Sequence, residues 1–106
     1  MSRGKINWPG ASGKSYEYEI YENETTFRSV PGNYVFAREV TPGHWAPVYI
    51  GETGDLSTRF DDHHKAKEIA KHGATHICVH ASSSNKQQRL NEETDLVRKW
   101  APPCNG

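Results

Sequence analysis

The sequence is poor in nearly every feature that would announce a chemistry by composition alone. It has two cysteines, Cys78 and Cys104, without CxxC spacing. That excludes a zinc ribbon and a disulfide framework and predicts two reduced thiols, one in a strand and one in a C-terminal turn. No apolar run approaches the roughly 18 residues of a membrane span, and the polar N-terminus lacks a signal-peptide core. The expectation is a cytoplasmic, intracellular protein that does not enter a membrane. Neither charge sign is in excess: 13 Lys and Arg balance 13 Asp and Glu, so nucleic acid is not held by bulk charge. Repeats and low-complexity segments are absent too.

What is present fits one small domain of 106 residues, with 34% hydrophobic residues for its core. Charge is slightly uneven, with eight Lys and Arg against six Asp and Glu from Leu56 onward. Any anion-binding surface is therefore expected in the C-terminal half. "MSRGKINWPGASGK" is Gly-rich and polar, and reads as a loosely held arm. "YEYEIY" (Tyr16 to Tyr21) alternates large and acidic residues with the period of a half-exposed strand. "PGNYVFAREV" and "PVYIG" predict two paired strands around a longish connection containing "TPGH". Tyr34 and Phe36 share one strand face, and Tyr49 and Gly51 share a face of theirs.

"ETGDLSTRFDDHHKAKEIAKHG" reads as turn, helix and stop, with Asp55 as N-cap and Gly73 just past the end. "ATHICVH" is a further strand, placing His76, Cys78 and His80 on one side and Ile77 and Val79 on the other. Asn85 with Gln88 resembles a capping box, opening a helix that runs to about Trp100 and is stopped by Pro102 and Pro103. The fold expected is α+β: a small three-stranded antiparallel sheet flanked by helices, plus an N-terminal strand or hairpin. Residues 1–30 form the arm and extra strand or strands, and residues 31–106 the core, in a single domain.

Helical spacing then sorts the polar residues. Arg59 stacks with His63, four residues on, while His64 follows Phe60. Arg59 and His63 together suit a phosphate; equally, Arg59 can pair with a nearby Asp and leave His63 solvated. In the last helix Leu90, Val97 and Trp100 mark the expected buried stripe. Glu93 falls within it and Glu92 points away. Glu93 is then either bridged to Arg89 or a ligand for a hard cation, since a carboxylate on an apolar face needs a partner. His76, Cys78 and His80, with His72 nearby, diverge too much along a strand for zinc. "GETGD" lacks the Lys–Ser/Thr of a P-loop, and there is no GxSxG. Trp45, beside His44, is the tryptophan best placed for stacking on a base.

Four motifs in order carry a resemblance. "PGNYVF" is similar to a GIY motif, with Asn33 in place of the usual apolar middle residue. "VYIGETGDLSTRFDDHH" is similar to a YIG motif followed by a helix with Arg-x-x-x-His. "RLNEETDLVRKWAPPCN" is similar to a closing signature in which Glu precedes a Leu–apolar pair by three residues, followed by Pro-Pro-x-Asn. Over roughly residues 31 to 106 the chain resembles a GIY-YIG nuclease domain.

The resemblance implies a divalent-metal-dependent DNA endonuclease that hydrolyses phosphodiester bonds, with Tyr34, Tyr49, Arg59, His63, Glu93 and Asn105 as its site. It implies Glu93 as the ligand of Mg2+ or Mn2+, Arg59 opposite the phosphate, and Tyr34 as base or orienter of the attacking water. Tyr49 and His63 then order water and phosphate, and Asn105 pins the chain end. A tyrosine titrating near 10 works as a base only where cations lower that value. Zero net charge favours single-stranded or structured DNA over an unbent duplex. The alternative is a non-catalytic nucleic-acid-binding module on the same fold. Asp61 and Asp62 read as a solvated shoulder, and His64 as peripheral.

Overall fold

The computed structural model describes residues 3–58, 65–82 and 84–105. Among the described residues are five strands: β1 (Lys5–Pro9), β2 (Ser15–Glu22), β3 (Gly32–Thr41), β4 (His44–Thr53) and β5 (His76–His80). Two helices, α1 (Ala66–Lys71) and α2 (Lys86–Trp100), are followed by a 3-10 turn at Pro103–Asn105. The expected α+β order is present. The sheet, however, is one antiparallel five-stranded unit in the order β1-β2-β5-β3-β4, not three strands with an appendage. β2 pairs with β5 from Glu19–Val79 to Glu22–His76, so the N-terminal hairpin extends the same ladder.

The arm read as loosely held is therefore a strand, and its anchorage explains the difference. Trp8 is 2% exposed, meets Trp100 edge-to-face at 5.4 Å, and packs with Tyr18, Ile20 and Leu96. Trp100 Nε1 donates to Pro9 O at 2.9 Å. Asp95 accepts from Ser12 N at 2.8 Å, Ser12 Oγ at 2.7 Å and Tyr16 Oη at 2.8 Å. The glycines and serines that look like linker composition are the turn that reaches α2. Local composition does not report such a contact, which joins residues about 80 positions apart.

β3 lies in the middle of the core ladder. From Gly32 to Ala37 it is buried, being flanked by β4 and β5 and covered on both faces; from Arg38 to Thr41 only β4 remains beside it and the strand is exposed. The expected longish connection is instead a continuation of both strands. Only Pro42 and Gly43 separate them, with Gly43 at φ 81° as a Pro-Gly turn requires. Trp45 is accordingly a strand residue, half-buried and edge-on to His76 at 4.8 Å.

Two clusters sandwich the sheet. One face holds Trp8, Tyr18, Ile20, Val35, Ala37, Ile50 and Cys78 beneath Leu96 of α2. The other holds Tyr34, Phe36, Val48, Ile77 and Val79 with Leu56, Ile69 of α1 and Cys104. Both cysteines are free, and burial raises both thiols, Cys78 to about 12.

The helix ends differ in how they match expectation. Asp55 caps a turn, not α1: its Oδ1 accepts from Ser57 N at 2.9 Å and Ser57 Oγ at 2.6 Å. Gly73 does end α1, its N–H bonding Ala70 O while Ala74 N–H reaches Ile69 O. Asn85 Oδ1 caps α2 by accepting from Gln87 N and Gln88 N. Ala101 turns left-handed at φ 43°, ahead of the two prolines.

Trp8→Ala tests whether the hairpin belongs to the cooperative core. Removing a buried Trp is expected to destabilise the chain by about 3–5 kcal/mol, read as a lowered urea midpoint. An unchanged midpoint would mean that β1 is not part of the folding unit.

Candidate active site

The site builds up from β3 and β4. Their register pairs Tyr34 with Gly51 and Phe36 with Tyr49, then jumps to Ala37 with Pro47, leaving Val48 as a bulge. The extra residue lets Val48 and Tyr49 both pack toward the cluster that contains Tyr34. Pro47 is tolerated because β4 is an edge strand. The rings of Tyr34 and Tyr49 stack with centroids 6.2 Å apart and planes 30° apart, and Phe36 meets Tyr34 edge-on at 5.8 Å. Tyr34 is fully buried, whereas Tyr49 is half-buried.

Gly51 is needed beneath this stack. A Cβ there would lie 2.5 Å from both Cζ and Oη of Tyr34. Any side chain would push the hydroxyl end of Tyr34 away.

Asn105 closes the β4 edge. Its Oδ1 accepts from Ile50 N and its Nδ2 donates to Ile50 O, both at 2.8 Å. One side-chain amide thus copies the bonding of a neighbouring strand at the residue between Tyr49 and Gly51. The spacing from Pro102 and Pro103 to Asn105 matters because the 3-10 turn delivers the amide to that edge.

α2 crosses the other face obliquely, from Glu52 of β4 at its start to Trp8 of β1 at its end. Its buried residues are Arg89, Glu92 and Leu96, while Leu90, Glu93 and Val97 are half-buried. The expectation that Glu92 points away is corrected: it is buried, and Glu93 lies on the flank of the stripe. A wheel weighted by hydropathy rotates the helix wrongly because it counts Arg89 and Glu92 as outward. Tertiary partners make their burial tolerable. Arg89 Nε bonds Glu52 Oε2 at 3.0 Å, with the two side chains 6% and 13% exposed. Glu92 Oε2 accepts from Tyr18 Oη at 2.6 Å and lies 3.0 Å from His80 Nδ1.

Asn33 also has its reason. Fully buried, it donates Nδ2–H to Arg89 O at 2.9 Å and accepts at Oδ1 from Ser82 Oγ at 2.6 Å. It thereby ties the residue beside Tyr34 to the start of α2. Its polar identity, noted as a departure within the motif, was the available signal. Glu52, Glu92 and His80 carried no such signal in sequence.

The structure brings Tyr34, Tyr49 and Asn105 to one region around Gly51. Glu93 stands on α2 one turn after Arg89, whose guanidinium meets β4. Arg59 and His63, with Asp61, Asp62 and His64, lie outside the described residues. Among the described residues no three His, Cys, Asp or Glu side chains converge to hold a metal. A lone carboxylate fits Mg2+ or Mn2+, which keep much of their water shell, better than zinc. His76, Cys78 and His80 are engaged separately, His76 with Thr75 Oγ1 at 2.9 Å and His80 with Glu92.

Among solved structures, the chain is similar to the GIY-YIG N-terminal endonuclease domain of UvrC from Thermotoga maritima. The form bound to its catalytic divalent cation, magnesium, superposes at TM-score 0.60 and 22% identity, covering 74% of this chain and 86% of that one. A Tyr-to-Phe point mutant of the same domain gives TM-score 0.60 and 23% identity over the same shares. No protein-family model matches the sequence, and no curated protein does. The chain has the GIY-YIG fold.

Two outcomes follow from this geometry. Gly51→Ala is expected to displace Tyr34 and destabilise the chain by about 1–3 kcal/mol through overpacking, read by chemical denaturation together with loss of the Tyr34–Tyr49 ring contacts in NMR. The hydrogen bond to Glu92 outweighs desolvation and raises His80 above its ordinary value of 6.5. The His80 imidazole is therefore expected to titrate by NMR above 6.5. Its contribution to stability is full below the unfolded value and lost as pH rises through the higher folded one. A midpoint at or below 6.5 would contradict the pairing.

Proposed function

We propose that this chain is a divalent-metal-dependent DNA endonuclease hydrolysing phosphodiester bonds. The observation that carries the reading is the stacked Tyr34–Tyr49 pair over Gly51, with Asn105 locking Ile50, on a GIY-YIG fold. A fold alone hosts many activities; here Tyr34, Tyr49 and Asn105, all motif residues, share one constrained geometry.

The division of labour proposed is physical. Glu93 holds Mg2+ or Mn2+, and the bound cation supplies charge stabilisation at the scissile phosphate and the departing 3′ oxygen. Tyr34, its ring confined by Gly51, Phe36 and Tyr49, orients the attacking water and takes its proton. Tyr49, the half-buried member of the pair, hydrogen-bonds the phosphate or the water. Arg59 neutralises the phosphate as negative charge builds on its oxygens. His63, four residues after Arg59 in the sequence, orders the phosphate. Asn105 is a positioning residue that holds the β4 backbone between Tyr49 and Gly51. Single-stranded or structured DNA is the preferred substrate, because a chain of zero net charge gains little from a long duplex.

The test is a panel of labelled single-stranded, duplex and branched DNA with Mg2+ or Mn2+. Cutting is expected in at least one arm, abolished by EDTA and lowered by about 10²-fold or more in Glu93→Gln and Tyr34→Phe. Binding without cutting in any metal would sink the endonuclease reading and leave a nucleic-acid-binding module.

A further inference from the structure

The chain as a whole is neutral, yet its charges are not mixed evenly over its grooves. Beside β2 a groove of about 490 Å³ includes Glu17 and Glu19 against Arg28. On the flank of α2, Lys14 and Arg98 stand with Asp95. A third groove, of about 480 Å³, lies between the end of α1 and the β3–β4 hairpin. It is lined by Arg38, Lys71 and His72, and by no carboxylate among the described residues.

All three of those side chains belong to exposed residues, and none forms an ion pair among the described residues. Two acids near them in sequence are engaged elsewhere. Glu68 stands 4.0 Å from Lys65 Nζ, and Glu39 accepts from Gly43 N at 3.1 Å. Arg38 lies along Gly73, where a Cβ would come within 3.3 Å of its Cδ. The absence of a side chain at the helix stop thus leaves room for the guanidinium stem.

The groove adjoins the candidate active site. Val48 in its floor is the bulge residue next to Tyr49, and Pro103 in its wall belongs to the turn that delivers Asn105. At physiological ionic strength charges are screened beyond about 8–10 Å. A strand at the site therefore also feels the local positive charge of Arg38 and Lys71.

We propose that this groove binds the phosphate backbone of the nucleic-acid strand flanking the cleavage point, through Arg38, Lys71 and His72. The inference deepens the endonuclease reading and rests on it. It also gives the β3–β4 extension beyond Ala37 a use: the extension carries Arg38 past the end of the β3–β5 ladder, where it faces the end of α1.

The experiment measures binding of fluorescein-labelled single-stranded and duplex DNA in EDTA over a salt series. It compares wild type, Arg38→Glu/Lys71→Glu and, for the same change in net charge on another surface, Lys14→Glu/Arg98→Glu. All positions are exposed, and circular dichroism checks that each variant is folded. The groove pair is expected to lose at least tenfold in affinity and to flatten the log–log salt slope by about 1.4–1.8. The other pair is expected to stay within about twofold. Equal losses in both pairs, or no loss in the groove pair, would overturn the proposal. So would displacement of the DNA by inorganic phosphate at matched ionic strength, which would mark a pocket for the free ion. Cutting by wild type with Mg2+ is scored in parallel. No cutting with the groove effect intact fails the endonuclease reading alone, while cutting with the groove effect absent fails the groove alone.

Discussion

A buried carboxylate, Glu92, sets the arrangement of this molecule. Glu92 lies under α2, where an ionised side chain is expensive unless its oxygens are satisfied. Tyr18 of β2 and His80 of β5 supply the partners, at 2.6 and 3.0 Å. Because those partners stand on adjacent strands, the same bond that makes burial tolerable joins the N-terminal hairpin to the core. It also fixes the rotation of α2. With Glu92 turned inward, Glu93 falls on the flank that follows Arg89, and Asp95 falls on the opposite flank beside Ser12 and Tyr16.

The same logic recurs around the tyrosines. Asn33, Arg89, Glu52 and Asn105 are polar residues placed where apolar packing alone would leave a strand free to shift. Hydrogen bonds are directional and unsatisfied ones are costly, so a satisfied buried network holds one arrangement where a greasy contact would allow several. A domain of 106 residues has a small core. Here its precision near Gly51 comes from amides and ion pairs laid over that core.

The candidate site is legible in the sequence only unevenly. Tyr34, Tyr49 and Asn105 stood in motifs, and the structure brings the first two into one stack and sets the third against the residue between Tyr49 and Gly51. Helix ends at Asn85, Gly73 and Pro102 were legible because capping chemistry is local. Asp55 misled for the same reason: its carboxylate satisfies a nearby turn, which looks like a helix cap when only neighbours in sequence are considered. The rotation of α2 was misread because hydropathy treats Arg89 and Glu92 as solvent-facing, whatever strands lie opposite. The stretch that holds β1 reads in sequence as an arm because glycine and serine describe a turn and a tether equally well.

By itself, then, the sequence determined the element order, the stops of the helices, the pairing of β3 with β4 and the motif residues. Each of these depends on backbone preference or on spacing within a few residues. Only the tertiary structure decided that β1 and β2 complete a five-stranded sheet, that Glu92 is the buried carboxylate, and that Arg38 and Lys71 line one groove. Those outcomes turn on partners dozens of residues away, which satisfy charges and hydrogen bonds that no local pattern can show to be satisfied.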